Sequence, residues 1–189
     1  MYEDKKRGPH LYTRPIAYLD AVRICLTHPD RQQTVQLFES YFARVKELTR
    51  RTPWELRAEG SSYKERLQEW LSGNYYLQDG FLAIAQCIQI GWRGRVSGEA
   101  TVTVLAVLTY RAQEGQLPES VRMLVEKGLL PNVPMDPYSG GPLVYKVSGD
   151  SFTLYSVGED FVDDGGVPCE WNDESGGDHV FWPTPAAHQ

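Results

Sequence analysis

The sequence predicts an α+β fold in which a long helix packs on a small antiparallel sheet, preceded by an array of short helices. Three observations predict it. Apolar residues recur at helical spacing over 77–114, they alternate over 143–147 and 152–157 around Ser148-Gly149-Asp150, and Pro131, Pro134 and Pro137 forbid helix in between. The period thus changes from helical to alternating within 101–166, which gives that stretch a core of its own. On this reading the chain divides into a helical part, 1–76, and an α+β domain, 77–189.

The helical part is read from its punctuation. Ile16, Leu19, Val22 and Leu26 share one face of a short helix that His28-Pro29 ends. Asp30 and Gln33 form a capping pair for the next helix, whose Val35, Phe38, Tyr41, Phe42, Val45 and Leu48 make an amphipathic face. Thr52-Pro53-Trp54-Glu55 is a second start, with proline at the first helical position, and Gly60 closes it. Ser62 and Glu65 open a further helix ending at Gly73, with Tyr63, Leu67, Trp70 and Leu71 inward. Trp54 and Trp70 are expected to anchor the core.

The long helix should carry a stripe through Ile84, Ile88, Trp92, Val96, Val102, Leu105, Ala106 and Thr109 onto the hairpin, against residues such as Tyr145 and Leu154. Gly91, Gly94 and Gly98 weaken its middle, yet one helix is the simpler reading. Gly115 stops it. A short helix follows from Pro118, burying Val121, Leu124 and Val125, and Gly128 stops that one. After the prolines come the turn at 136–141, the hairpin, an acidic loop, and a last strand at 179–182.

Composition narrows the function classes. With 41% hydrophobic and 12% aromatic residues the chain can bury a core, so disorder is not expected. A net charge of −6 with scattered basic residues argues against nucleic acid and against contact with an anionic membrane surface. No apolar run follows the polar first ten residues, and 81–92 is too short and too interrupted to span a bilayer. Cys25, Cys87 and Cys169 have no CxxC spacing, which leaves two buried thiols and one loop thiol as the expectation. His10, His28, His179 and His188 share no ligand spacing, and neither a GxSxG elbow nor a phosphate-binding glycine pattern is present. With no catalytic constellation, an enzyme is not the first expectation.

The stretch that carries chemistry is Glu159-Asp160-Phe161-Val162-Asp163-Asp164-Gly165-Gly166, with Asp173, Glu174 and Asp178 downstream. Hard cations need several oxygens together, and glycines let a backbone wrap closely around one. The spacing is not that of an EF-hand, and on spacing alone a solvated acidic turn is the better reading.

The order long helix, Gly115-x-x-Pro118, short helix, Asp136-Pro137-Tyr138, Gly141-Pro-Leu-Val-Tyr145 and Phe152-x-Leu-Tyr-Ser-Val-Gly-x-Asp160 resembles the soluble part of the major pseudopilins of type II secretion. It is more similar still to the larger exported proteins whose C-terminal part reuses that pattern and ends in an Asp-Asp-Gly-Gly loop. The resemblance covers about residues 100–182. It implies a pilin-like fold, a periplasmic or cell-envelope location, protein partners in an envelope assembly, and a calcium ion held by the loop after the hairpin. Asp160 matches one family ligand and Asp178 approximates another. Asp163 and Asp164 have no strict counterpart and join the set as neighbouring oxygens. The helical part before residue 77 has no place in a pilus subunit.

Two functional expectations stand. The first is a non-catalytic structural or interaction domain of the cell envelope, stabilised by calcium through Asp160, Asp178 and Asp163 or Asp164. The second is an enzyme or small-ligand-binding module with a cleft between the helical half and the hairpin.

Overall fold

Element by element, the structure (a computed structural model) describes residues 30–71, 82–171 and 176–183. Over these run the helices α1 (Arg31–Leu48), α2 (Pro53–Ala58), α3 (Tyr63–Leu71), α4 (Leu82–Glu114) and α5 (Val121–Glu126), then the strands β1 (Val144–Ser148), β2 (Ser151–Ser156) and β3 (His179–Trp182). The expected helix at 16–26, Cys25, the end at Gly73, the start of the long helix at Leu77, and Asp173 and Glu174 lie outside the described residues. The chain forms two units, Met1–Arg44 and Val45–Gln189.

The helix starts are built as their sequences dictate. The Gln33 N–H donates to Asp30 Oδ1 at 2.8 Å and the Asp30 N–H donates to Gln33 Oε1 at 2.9 Å, satisfying two amides that α1 leaves open. Its apolar face is only partly covered, with Tyr41 and Leu48 buried and Val35 and Phe42 exposed. α2 has a full capping box between Thr52 and Glu55, and Pro53 sits in its first turn. Ser62 caps α3 through the Glu65 N–H. α3 lies along α4, and Tyr63 and Leu67 are buried, as are Ala85 and Ile88 on α4.

α4 is one helix of 33 residues, so it runs about 50 Å. It stays unbroken through Gly91, Gly94 and Gly98. Its inner face matches the expected stripe in part: Ile88, Val96 and Ala106 are buried, but Leu105 is 58% exposed, Val102 is also exposed and Thr109 faces solvent, while Ala100, Thr103, Val107 and Tyr110, outside the stripe, are buried. The buried face carries Val96, Ala100, Val104, Val107 and Tyr110, and Thr103 joins it at little cost because its hydroxyl donates to the Glu99 carbonyl at 2.8 Å. Cys87, expected to be buried, is exposed on α4.

The sheet has the order β1-β2-β3 and is antiparallel throughout. Ser148 pairs with Ser151, leaving Gly149-Asp150 as a two-residue turn in which Gly149 has φ +59°. That register puts Tyr145 opposite Leu154. Phe152 and Leu154 enter the same core as Val107 and Leu124, and Tyr145 packs against its edge. A register shift between Leu154 and Tyr155 marks the pairing with β3. Tyr155, on the other side of β2, is fully buried as well. The acidic loop covers it: the Tyr155 hydroxyl donates to Asp163 Oδ1 at 2.8 Å, and Gly166 lies against its ring. The sheet therefore has α4 on one face and the loop on the other.

No helix among the described residues is long and apolar enough to cross a membrane.

Candidate functional site

The loop between β2 and β3 is assembled by close backbone approach. Gly158 has φ +77°, and a Cβ there would sit 3.1 Å from the Gly177 carbonyl oxygen. At Gly177, φ +121°, a Cβ would meet that of Cys169 at 2.8 Å. Only glycine fits both places. The contact brings two segments side by side: the Asp178 N–H donates to the Val167 carbonyl at 2.7 Å, and the Cys169 N–H donates to that of Asp178 at 2.9 Å.

The four predicted aspartates have four different employments. Asp160 closes the loop, accepting the Val162 N–H through Oδ1 at 3.0 Å and the Gly177 N–H through Oδ2 at 3.1 Å. Asp163 accepts the Tyr155 hydroxyl and the Gly165 N–H through Oδ1, and these bonds hold its carboxyl below the usual range. Asp164 is exposed. Asp178 is fully buried; its Oδ2 accepts the Gly166 N–H at 2.6 Å, and its Oδ1 has no hydrogen-bond partner. Burial pushes the Asp178 carboxyl up, the amides of Gly166 and Asp164 oppose that shift, and the charges of Asp163 and Asp164 add to it.

A buried carboxylate oxygen without a donor, facing like charges, is where a cation would relieve two costs at once. Yet among the described residues no three His, Cys, Asp or Glu side chains converge as a ready metal-holding group. Backbone carbonyls and water would have to supply most of a calcium shell around Asp178. Beside Asp160, a cavity of about 30 Å³ is lined by Glu159, Cys169, Gly176 and His179, among others. The imidazole of His179 stacks on Trp171 at 4.0 Å, and its buried Nδ1 is without a partner. Desolvation lowers its pKa, because burial disfavours the charged ring.

Two polar links escape a reading of the sequence. Asp136, placed there only as a turn residue, is 1% exposed and accepts from the Tyr138 N–H, the Ser156 hydroxyl and the Val157 N–H at 3.0, 2.8 and 3.0 Å. Arg93 on α4 grips Glu159 with two hydrogen bonds, at 2.8 and 2.7 Å, and so ties the long helix to the loop. The bond to Tyr138 closes within two residues, but those to Ser156 and Val157 and the Arg93–Glu159 pair join residues far apart in sequence and have no local signal.

A larger cleft lies away from the loop. Its volume is about 430 Å³, and its walls come from the start of α2, the middle of α4 and the turn after Pro134, with Trp54, Trp92, Met135 and Pro137 as the apolar part. Trp54 was expected to be a core anchor, yet it is 39% exposed. Its place at the second position of a six-residue helix explains this, because Pro53 and Leu56 take the buried side. Comparison with family models, with curated proteins and with solved structures found no match to this chain.

Proposed function

We propose that this chain is a non-catalytic structural and interaction domain of the cell envelope, built on the pseudopilin pattern and stabilised by calcium in the loop between β2 and β3. The architecture that supports the reading is a long helix against a three-stranded antiparallel sheet, followed by an oxygen-rich loop and a last strand. The single observation that carries the ion is Asp178, fully buried with Oδ1 unpartnered beside Asp163 and Asp164. In this reading Asp178 is the inner ligand, Asp163 or Asp164 and backbone carbonyls complete the shell, and Asp160 shapes the loop around it. Protein partners would be other components of an envelope assembly, with no role for nucleic acid.

A loop of this kind binds calcium with the affinity of extracellular modules, about 0.1–1 mM. At ~1 mM calcium, linkage gives about 0.4–1.4 kcal/mol, a rise of a few degrees in the thermal midpoint. The test is a melt in chelator and in millimolar calcium for the wild type, Asp178→Asn and Asp160→Ala. The expected result is a shift in the wild type that Asp178→Asn abolishes. Equal midpoints in the wild type, or a shift that survives in Asp178→Asn, would remove the site from this loop.

A further inference from the structure

A second, smaller cavity of about 170 Å³ lies between α2, the start of α3, the turn at Tyr138 and the start of the acidic loop. Pro53, Leu56 and Phe161 give it apolar walls. Tyr138 lines it while only 1% exposed, and its hydroxyl has no hydrogen-bond partner. A buried hydroxyl left unpaired is costly, so a ligand group that reaches it relieves that cost. The Phe161 wall is held in place by its surroundings. Its backbone stands at φ +65°, a region that a phenylalanine adopts only under constraint. There its ring meets the Tyr138 ring edge-on, centroids 6.1 Å apart, and carries the Arg57 guanidinium 4.6 Å from its centre.

Size and charge together say what fits. A cavity of about 150 Å³ holds one benzene ring, whereas ligands of several rings occupy about 300 Å³ or more. The size is therefore that of a single ring, whose faces the apolar walls would take. Two lining residues are charged, and they differ in their partners. Glu159 is compensated, since both its oxygens accept from Arg93. Arg57 is exposed and has no counter-charge: among the described residues its guanidinium makes no hydrogen bond or ion pair, and stacking on Phe161 leaves its N–H edges open. The Tyr63 and Ser62 hydroxyls are already engaged, by the Arg51 carbonyl and the Glu65 N–H. An open cation at the exposed end and an unpaired hydroxyl at the buried end remain, with apolar surface between them. Arg57 would repel an ammonium group, and a plain hydrocarbon ring would leave Tyr138 unpaired. We infer that this cavity binds a single-ring aromatic carboxylate bearing a hydroxyl, with its carboxylate on Arg57, its ring against Leu56 and Phe161, and its hydroxyl on Tyr138. This inference does not rest on the calcium reading.

The experiment uses the full chain with chelator present, so its outcome is independent of calcium. The probes are 3-hydroxybenzoate, 4-hydroxybenzoate and 4-hydroxyphenylacetate, with benzoate and the neutral 4-hydroxybenzamide for comparison. Each is titrated while backbone amide signals are followed in proton–nitrogen correlation spectra. At least one hydroxylated acid should move the Leu56, Arg57 and Phe161 signals saturably, with a millimolar or tighter dissociation constant. Arg57→Gln, a change at an exposed position, should weaken that acid by about tenfold or more, as loss of a charged hydrogen bond does. Tyr138→Phe removes only the hydroxyl; it should weaken the hydroxylated acid and leave the weaker binding of benzoate unchanged, which guards against a folding defect. Binding by none of the three acids, equal binding of the amide, or unchanged affinity in either variant would overturn the inference.

Discussion

Asp136 accepts the amide N–H of Val157 through Oδ2 at 3.0 Å, joining the turn before the hairpin to the end of its second strand. With Tyr138 and Ser156 also donating to it, the carboxylate satisfies three donors while almost fully buried. Asp136→Ala leaves all three unpaired and should cost about 3 kcal/mol or more, read as a fall in the denaturant midpoint. A change within the error of the measurement would show that the turn and β2 are held by something else.

Asp136 also gives a signed pH dependence. Burial raises its pKa from the ordinary 3.8, outweighing the hydrogen bonds that oppose the shift. A carboxyl raised in the folded state binds its proton more tightly there than in the unfolded chain. Its contribution is therefore fully present below the ordinary value and is lost as pH rises through the folded pKa. Relative to Asp136→Asn, which does not titrate, the wild type should lose stability on going from strong to mild acid. A difference that stays flat or grows with pH would contradict the direction.

Leu154 and Leu105 make a paired test of the helix rotation, since one is fully buried on β2 and the other stands 58% exposed on α4. Leu154→Ala should cost roughly 2–5 kcal/mol and Leu105→Ala no more than about 0.5 kcal/mol. Comparable losses from both would mean that α4 presents the other face to the sheet.

The Arg93–Glu159 pair is partly buried, with side-chain exposures of 15% and 28%, whereas Arg50–Glu47 lies in solvent at 63% and 67%. Glu159→Gln should cost roughly 1–3 kcal/mol because it leaves a half-buried guanidinium without its counter-charge. Glu47→Gln should stay within about 0.5 kcal/mol. Chemical denaturation at low and high salt checks both, and equal effects would remove the special standing of the Arg93 link.

Gly140 carries φ +69° and supports the Trp54 ring. Gly140→Ala should cost about 1–2 kcal/mol from the left-handed backbone alone. It should also displace the indole, which a shift of the Trp54 N–H signal would report. A destabilised variant with an unmoved Trp54 signal would separate the strain from the contact.

What could be read in advance was local. Asp30–Gln33, Thr52–Glu55 and Ser62–Glu65 each close within three residues, and both chemistry and spacing are written in the sequence. Gly149-Asp150 sets the hairpin register in the same way. What could not be read depends on a partner surface. The surface that α4 meets sets which face turns inward: Thr103 is buried with its hydroxyl satisfied by the Glu99 carbonyl, while Leu105 stays exposed. Trp54 looks like core until Pro53 and Leu56 are seen to occupy the buried side. In the acidic loop the composition pointed to four oxygen-bearing residues, but only folding assigns loop closure to Asp160 and an unpartnered buried oxygen to Asp178.

The two-residue Gly149-Asp150 turn has a kinetic consequence. The hairpin it closes is local and forms in microseconds, while the grip of Asp136 on Val157 needs β2 to be in place first. Substitutions in the turn should therefore act on the folding arm of a chevron, and Asp136→Asn on the unfolding arm. That split would make the Asp136 contact the one that sets how long the native state survives.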